Sequence, residues 1–188
     1  MVIASNNKHK VSEIKQILCG KFDRIISLSE LGITVDPEET ATDFLGNARI
    51  KARAIAAFTD KAVVADDSGL EVAALGGAPG VYSARYAGEP VSDERNNERL
   101  LREMGNVSDR SARFVTTMVL RFHDGREIVG VGQVSGRITT EMRGRNGFGY
   151  DPLFYADELK KTFGEATESE KNAVSHRSRA LADLLRQL

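Results

Sequence analysis

The run Ala62-Val63-Val64-Ala65 leads straight into Asp66-Asp67-Ser68-Gly69, and no other stretch restricts the fold as much. An apolar, partly β-branched run closed by a turn signal reads as a buried strand. Two adjacent carboxylates at its end repel each other, and burial raises the cost. Something cationic belongs beside them: a divalent metal, lysines, or both. Lysines near the N-terminus, glycine-rich turns and a basic late helix extend that reading to a site for a magnesium-bound polyphosphate.

With 188 residues, the chain fits one domain over 1–188, with room for two lobes. Its 26 basic and 27 acidic residues nearly cancel, which argues against bulk attraction to nucleic acid or a membrane. The one cysteine, Cys19, excludes an internal disulfide and fits a reducing cytoplasm. Placed before Gly20 at a helix end, it reads as a small buried hydrophobe. Val2-Ile3-Ala4 is too short for a signal-peptide core, and no apolar run approaches the ~20 residues of a membrane span.

Periodicity predicts a strand over 2–4, a turn at Ser5-Asn6-Asn7, and a helix carrying Val11, Ile14, Ile17 and Leu18 that stops at Gly20. A second strand is expected over 24–28, and a helix over 43–58 with Thr42 as its cap. Residues 69–90 read as loop or hairpin, anchored by Leu70, Val72, Leu75 and Val81. Ser92 caps a helix reaching Met104. Strands over 114–122 and 127–134 flank a His123-Asp124-Gly125 turn, and a glycine-rich loop spans 143–152. Thr167-Glu168-Ser169-Glu170 is a capping box that opens one helix to the C-terminus. The order is mixed α and β, antiparallel in the second half.

Several groups suit phosphate and purine chemistry. The turn formed by Ser5, Asn6, Asn7, Lys8, His9 and Lys10 joins a strand to a helix, where backbone amides favour phosphate. It lacks the Walker A spacing, and such a turn is more often only a turn. Glu38-Glu39 is solvated charge unless its loop folds back on the Asp66-Asp67 strand, where it would help complete an oxygen shell suited to Mg²⁺. Lys51 is an ordinary surface lysine unless that same site claims it. Gly147-Phe148-Gly149-Tyr150-Asp151-Pro152 is either a platform for a flat base, with Phe148 stacking and Asp151 accepting from a base N–H, or a tight turn around a packed ring. Lys171, Ser175, His176 and Arg177 fall in the last helix, where His176 and Arg177 offer donors for a purine carbonyl or simply form a solvent face. No zinc spacing and no serine triad can be built.

Together these segments, with Phe44-Leu45-Gly46-Asn47-Ala48 and Leu75-Gly76-Gly77-Ala78-Pro79-Gly80-Val81-Tyr82-Ser83-Ala84-Arg85-Tyr86, resemble the inosine triphosphate pyrophosphatase family in order and over nearly the whole chain. The resemblance implies an α/β fold: a long, strongly twisted mixed β-sheet flanked by helices, in two lobes with a nucleotide cleft between them. It implies a homodimer that hydrolyses ITP, dITP and XTP to the monophosphate plus pyrophosphate with Mg²⁺. By position, Ser5 to Lys10 and Lys51 look like triphosphate ligands. Glu38 and Asp67 look like metal carboxylates, with Asp67 also the proton acceptor. Ser68 would touch the substrate, and Phe148, Gly149, Tyr150, Asp151, Lys171, His176 and Arg177 look like the base pocket.

Two positions depart from the family pattern. Gly46 stands where a glutamate is usual, which predicts weaker or altered metal binding. Lys8-His9 precedes Lys10 where a small residue is common. A Maf-type pyrophosphatase is the nearest enzymatic rival. A nucleotide sensor would not need the Asp66-Asp67 pair with Glu38, and a nucleic-acid binder would carry exposed stacking aromatics.

Overall fold

The computed structural model describes residues 1–188. One mixed sheet of seven strands runs in the order β2-β1-β3-β4-β5-β6-β7. Its strands are β1 (Val2–Ile3), β2 (Ile26–Ser27), β3 (Val63–Val72), β4 (Ser111–Arg121), β5 (Glu127–Ile138), β6 (Phe154–Ala156) and β7 (Lys161–Thr162). The helices are α1 (Lys8–Ile17), α2 (Phe44–Ala56), α3 (Asp93–Glu103), α4 (Glu168–Val174) and α5 (His176–Leu185). β1 pairs in parallel with both β2 and β3, so each connection has to cross over, and both carry helices. β4 and β5 form a hairpin, closed by Phe122 N–H to Arg126 O at one end and Ile138 N–H to Arg110 O at the other. β6 and β7 continue antiparallel beyond it.

The chain divides into two compact units, one of residues 1–67, 116–132 and 177–188, the other of 68–115 and 133–176. In the first, helices cover both faces of the parallel strands. Val64 packs with Ile14 of α1, with Leu18 just after that helix, and with Ala180, Leu181 and Leu184 of α5. Val63 and Ala65 pack with Ala48, Ala52 and Ile55 of α2. That double burial is why this strand reads as an unbroken apolar run, whereas β5 alternates exposed and buried residues along much of its length. The second unit has its own core, which includes Leu70, Leu100, Phe114, Phe154 and Phe163. No helix is long and apolar enough to cross a membrane.

Most expected elements form, with informative shifts. Asp43, not Thr42, caps α2, its carboxylate accepting Gly46 N–H at 2.8 Å; either residue type can do so. Ser92 and the Thr167–Glu170 capping box act as expected. β3 does not turn at Ser68-Gly69 but continues to Val72. Gly69 is there because the backbone of Gly80 crosses it: a Cβ at this position would sit 2.2 Å from Gly80 O. The last helix is not continuous. Ser175 takes an extended ψ of 153°, ending α4, and α5 restarts at His176. Cys19 is exposed, because α1 ends at Ile17 and leaves it in the following turn.

Glu30 fastens β2 to the turn after it. One carboxylate oxygen accepts from Lys15 Nζ at 2.7 Å, Ser27 N at 2.7 Å and Ser27 Oγ at 2.6 Å. The lysine bond first, then the serine bonds, hold its carboxyl down at about 2 against an ordinary 4.5. A depressed carboxyl stabilises the fold above its unfolded value and loses that contribution as pH falls through the folded one. Glu30→Gln is therefore expected to narrow its stability deficit against the parent as pH drops from 4.5 toward about 2 in urea titrations; a deficit independent of pH would refute this role.

Candidate active site

Asp66 and Asp67 lie on opposite faces of β3, because successive side chains on a strand alternate. The repulsion expected between them is thus resolved by direction, and each carboxylate meets its own lysine. Asp66 faces the α1/α5 side. Its Oδ2 lies 3.0 Å from Lys10 Nζ and 3.7 Å from the Arg177 guanidinium. Arg177, 1% exposed, also pairs with Glu13 of α1. Burial would push the Asp66 carboxyl up, but Lys10, Arg177 and Lys51 together hold it well below the usual range. Burial, opposed by Asp66, lowers Lys10.

Asp67 faces α2. Its Oδ1 lies 3.3 Å from Lys51 Nζ, and its Oδ2 accepts from Asn47 Nδ2 at 3.2 Å. Lys51 also donates to Glu39 Oε1 at 2.6 Å. Burial raises the Asp67 carboxyl; Lys51 opposes this and Glu39 adds to it. Adjacent carboxylates are thus driven in opposite directions, one locked as an anion and the other moved toward proton acceptance.

Of the Glu38-Glu39 pair, Glu39 turns its carboxylate to Lys51 while Glu38 is exposed. Neighbours in an extended segment point opposite ways, so one register position decides which glutamate faces the site. One lysine, Lys51, stands against two carboxylates, Glu39 and Asp67. This all-oxygen set, with a surplus of negative charge, suits a hard divalent cation.

The Ser5–Lys10 turn is built as a helix start. Ser5 Oγ accepts from Asn7 N at 3.2 Å, and Asn7 Oδ1 caps α1 by accepting from His9 N at 3.0 Å and Lys10 N at 3.2 Å. Asn6 reaches Asp36 Oδ1 at 3.2 Å, while Lys8 and His9 are exposed. Lys10 and Lys51 are the lysines that reach Asp66 and Asp67.

The second unit gathers most of the residues expected around a base. Lys171, 4% exposed, donates to Asp151 Oδ2 at 2.6 Å, and its ammonium lies 4.6 Å from the Phe148 ring centroid. Asp151 Oδ2 also accepts from Phe148 N at 2.9 Å. The peptide groups of Gly149 are gripped by α3: Asp93 Oδ2 accepts its N–H at 2.7 Å, and Asn97 Nδ2 donates to its carbonyl at 2.9 Å. Tyr150 O–H donates to Ser83 O at 2.9 Å, and burial pushes the phenol far up. His176, 4% exposed, stacks on Phe114 at 4.8 Å. Ser68 is half-buried at the start of this unit. His176 and Arg177 both open α5, yet His176 clusters with the second unit and Arg177 with the first.

A model of the Ham1 family matches residues 1–187. The chain belongs to the Ham1 family. A Clostridium perfringens relative named dITP/XTP pyrophosphatase is 50% identical, over 97% of this chain and 94% of that protein. A Staphylococcus epidermidis relative of the same name is 49% identical over 96% and 92%. Among solved structures, the Staphylococcus aureus Ham1 protein superposes with a TM-score of 0.87 at 47% identity, covering 99% of this chain and 95% of its own. A Ham1 protein from Coxiella burnetii gives 0.88 at 39%, covering 100% and 98%. The family expected from the sequence motifs and the mixed sheet flanked by helices are both borne out.

Within this Ham1-family chain, sequence reasoning gave no role to Asn47 or Glu13, and of the Glu38-Glu39 pair it carried over Glu38 rather than Glu39. The signals were present: Asn47 and Lys51 are four apart on α2, and Lys10 and Glu13 three apart on α1, so each pair shares a helix face. Gly46 also gains a local reason. A Cβ there would sit 2.4 Å from Ala41 Cβ. Gly46→Ala is expected to cost about 1–3 kcal/mol by overpacking, instead of gaining the ~1 kcal/mol that alanine brings to a free helix. Urea unfolding measures it, and a gain would show that the loop swings aside at no cost.

Proposed function

We propose that this protein hydrolyses non-canonical purine nucleoside triphosphates, ITP, dITP and XTP, to the nucleoside monophosphate and pyrophosphate. The names of its relatives support the substrate class. The observation that carries the mechanism is the Asp67 carboxylate held between Asn47 and Lys51 on the face opposite Asp66. Asp67 accepts the proton of a water whose oxygen attacks the α-phosphorus; the bond to the bridging oxygen breaks and pyrophosphate leaves. Lys10 and Lys51, with the Ser5–Lys10 turn, bind the triphosphate oxygens, and the lysines take up charge on the leaving group. Asp67 with a carboxylate of the Glu38-Glu39 segment would hold Mg²⁺. The ion supplies further charge neutralisation at the phosphate oxygens.

The family resemblance carries over Ser68 as a substrate contact, Phe148 to Asp151 as neighbours of the purine ring, and Lys171 and His176 as its donors. Hypoxanthine and xanthine carry O6 where adenine carries an amino group. Donors facing an amino group stay unpaired, which a hydrogen-bonding site converts into strong rejection. Arg177, expected at the base from sequence, is better read as the charge partner of Glu13 and Asp66. The homodimer rests on the family resemblance and the cytoplasmic setting on the lone Cys19, which fits a reducing compartment; light scattering on the eluted protein tests the dimer.

A panel of ITP, dITP, XTP, GTP and ATP with Mg²⁺, scored for pyrophosphate, tests the whole reading. ITP, dITP and XTP are expected to exceed ATP in kcat/KM by at least ~100-fold. Comparable values for ATP and ITP would refute the donor argument, and absence of pyrophosphate would refute the reaction.

A further inference from the structure

We propose that Asn47 is a positioning residue for this hydrolysis, one buried amide that orients Asp67 and fastens the 38–41 loop to α2. The inference rests on Asp67 being the proton acceptor. Asn47 is 0% exposed. Its Oδ1 accepts from Ala41 N at 3.0 Å, and its Nδ2 donates to Asp67 Oδ2 at 3.2 Å. The orientation of the amide is forced: a backbone N–H only donates, so the oxygen must face Ala41 and the NH₂ must face the carboxylate.

Lys51, one turn further along the same face of α2, meets the other oxygen of Asp67 at 3.3 Å. Both carboxylate oxygens are therefore held from one helix face, which fixes the plane of the group. Lys51 is shared with Glu39, whereas the Asn47 NH₂ is directed at Asp67. The amide also links the carboxylate to the segment bearing Glu39, because Ala41 follows that residue by two positions. Close approach at Gly46 keeps Ala41 against α2, within reach of Asn47. A purely structural asparagine would need only the Ala41 bond.

Asn47→Asp separates these roles. It keeps an acceptor for Ala41 but replaces the donor facing Asp67 with another carboxylate oxygen. Turnover of dITP is expected to fall about 10–100-fold, the usual cost of losing such a support. KM should stay within about three-fold, because Lys10 and Lys51 remain. In an Asp67→Asn background, assayed at high enzyme concentration, the same change should cost less than about three-fold, since no carboxylate is left to orient. Asn47→Ala, which removes both bonds without adding charge, is scored by the same criteria should the aspartate variant fail to fold. Turnover within about two-fold of the parent, or an equal factor of loss on both backgrounds, overturns the proposal. Parent-like turnover in Asp67→Asn alone would instead overturn the assignment of Asp67, and it is read without touching Asn47.

Discussion

Asp67→Asn is expected to cut pyrophosphate release from dITP and XTP by about 10²–10⁴-fold, the range that a positioned proton acceptor contributes. The fold should survive the change. Lys51 keeps Glu39 at 2.6 Å, so removing the Asp67 charge does not leave the lysine buried without a carboxylate. Asparagine also fills nearly the same space on β3. Far-UV circular dichroism and a urea midpoint close to the parent's would establish that the loss is chemical. Asp66→Asn makes the informative contrast. Asp66 touches Lys10 and Arg177 on the opposite face of the strand, so its loss should appear chiefly in stability and in KM through Lys10. If Asp67→Asn turned over like the parent, the water would have to be activated without it, and the mechanism proposed above would fall.

Arg177→Met should produce the largest loss of stability, about 3–5 kcal/mol, because breaking a buried pair strands the partner charges. Arg177 is 1% exposed and supports two carboxylates, Glu13 at 8% and Asp66 at 2%. Methionine replaces the bulk but brings no charge to either carboxylate, while Lys10 remains beside Asp66. The double variant Glu13→Gln/Arg177→Met should recover part of the loss, since a neutral amide at position 13 no longer needs a counter-charge. Equilibrium urea unfolding of the four proteins gives the cycle. A single-variant cost under about 1 kcal/mol would mean that water reaches the cluster and that the burial argument is wrong.

Much of this molecule is written locally. The continuous apolar run before Asp66 marks β3 because helices cover both faces there. Ser92, the Thr167–Glu170 box and Gly125 each act within three or four residues of themselves, and each works as its sequence signals. The misreadings share a cause. Ser68-Gly69 looks like a turn, yet its glycine answers to a backbone from the 80s that passes over the strand. Ser175 breaks a helix whose apolar spacing continues across it, so periodicity alone runs α4 and α5 together. β6 and β7, three and two residues long, are too short to carry a period.

Composition and motif order sufficed to give the family, the α/β class, and the presence of carboxylates and lysines suited to a phosphate ester. Only the folded chain decided their pairing. It set Lys10 against Asp66 and Lys51 against Asp67, chose Glu39 over Glu38, and brought Arg177 to Glu13 across 164 positions. The reason is directional. Periodicity and capping act through neighbouring backbone, whereas a strand's two faces and a helix's stripe fix which distant charges meet, and in a dry interior a shift of one residue exchanges one partner for another.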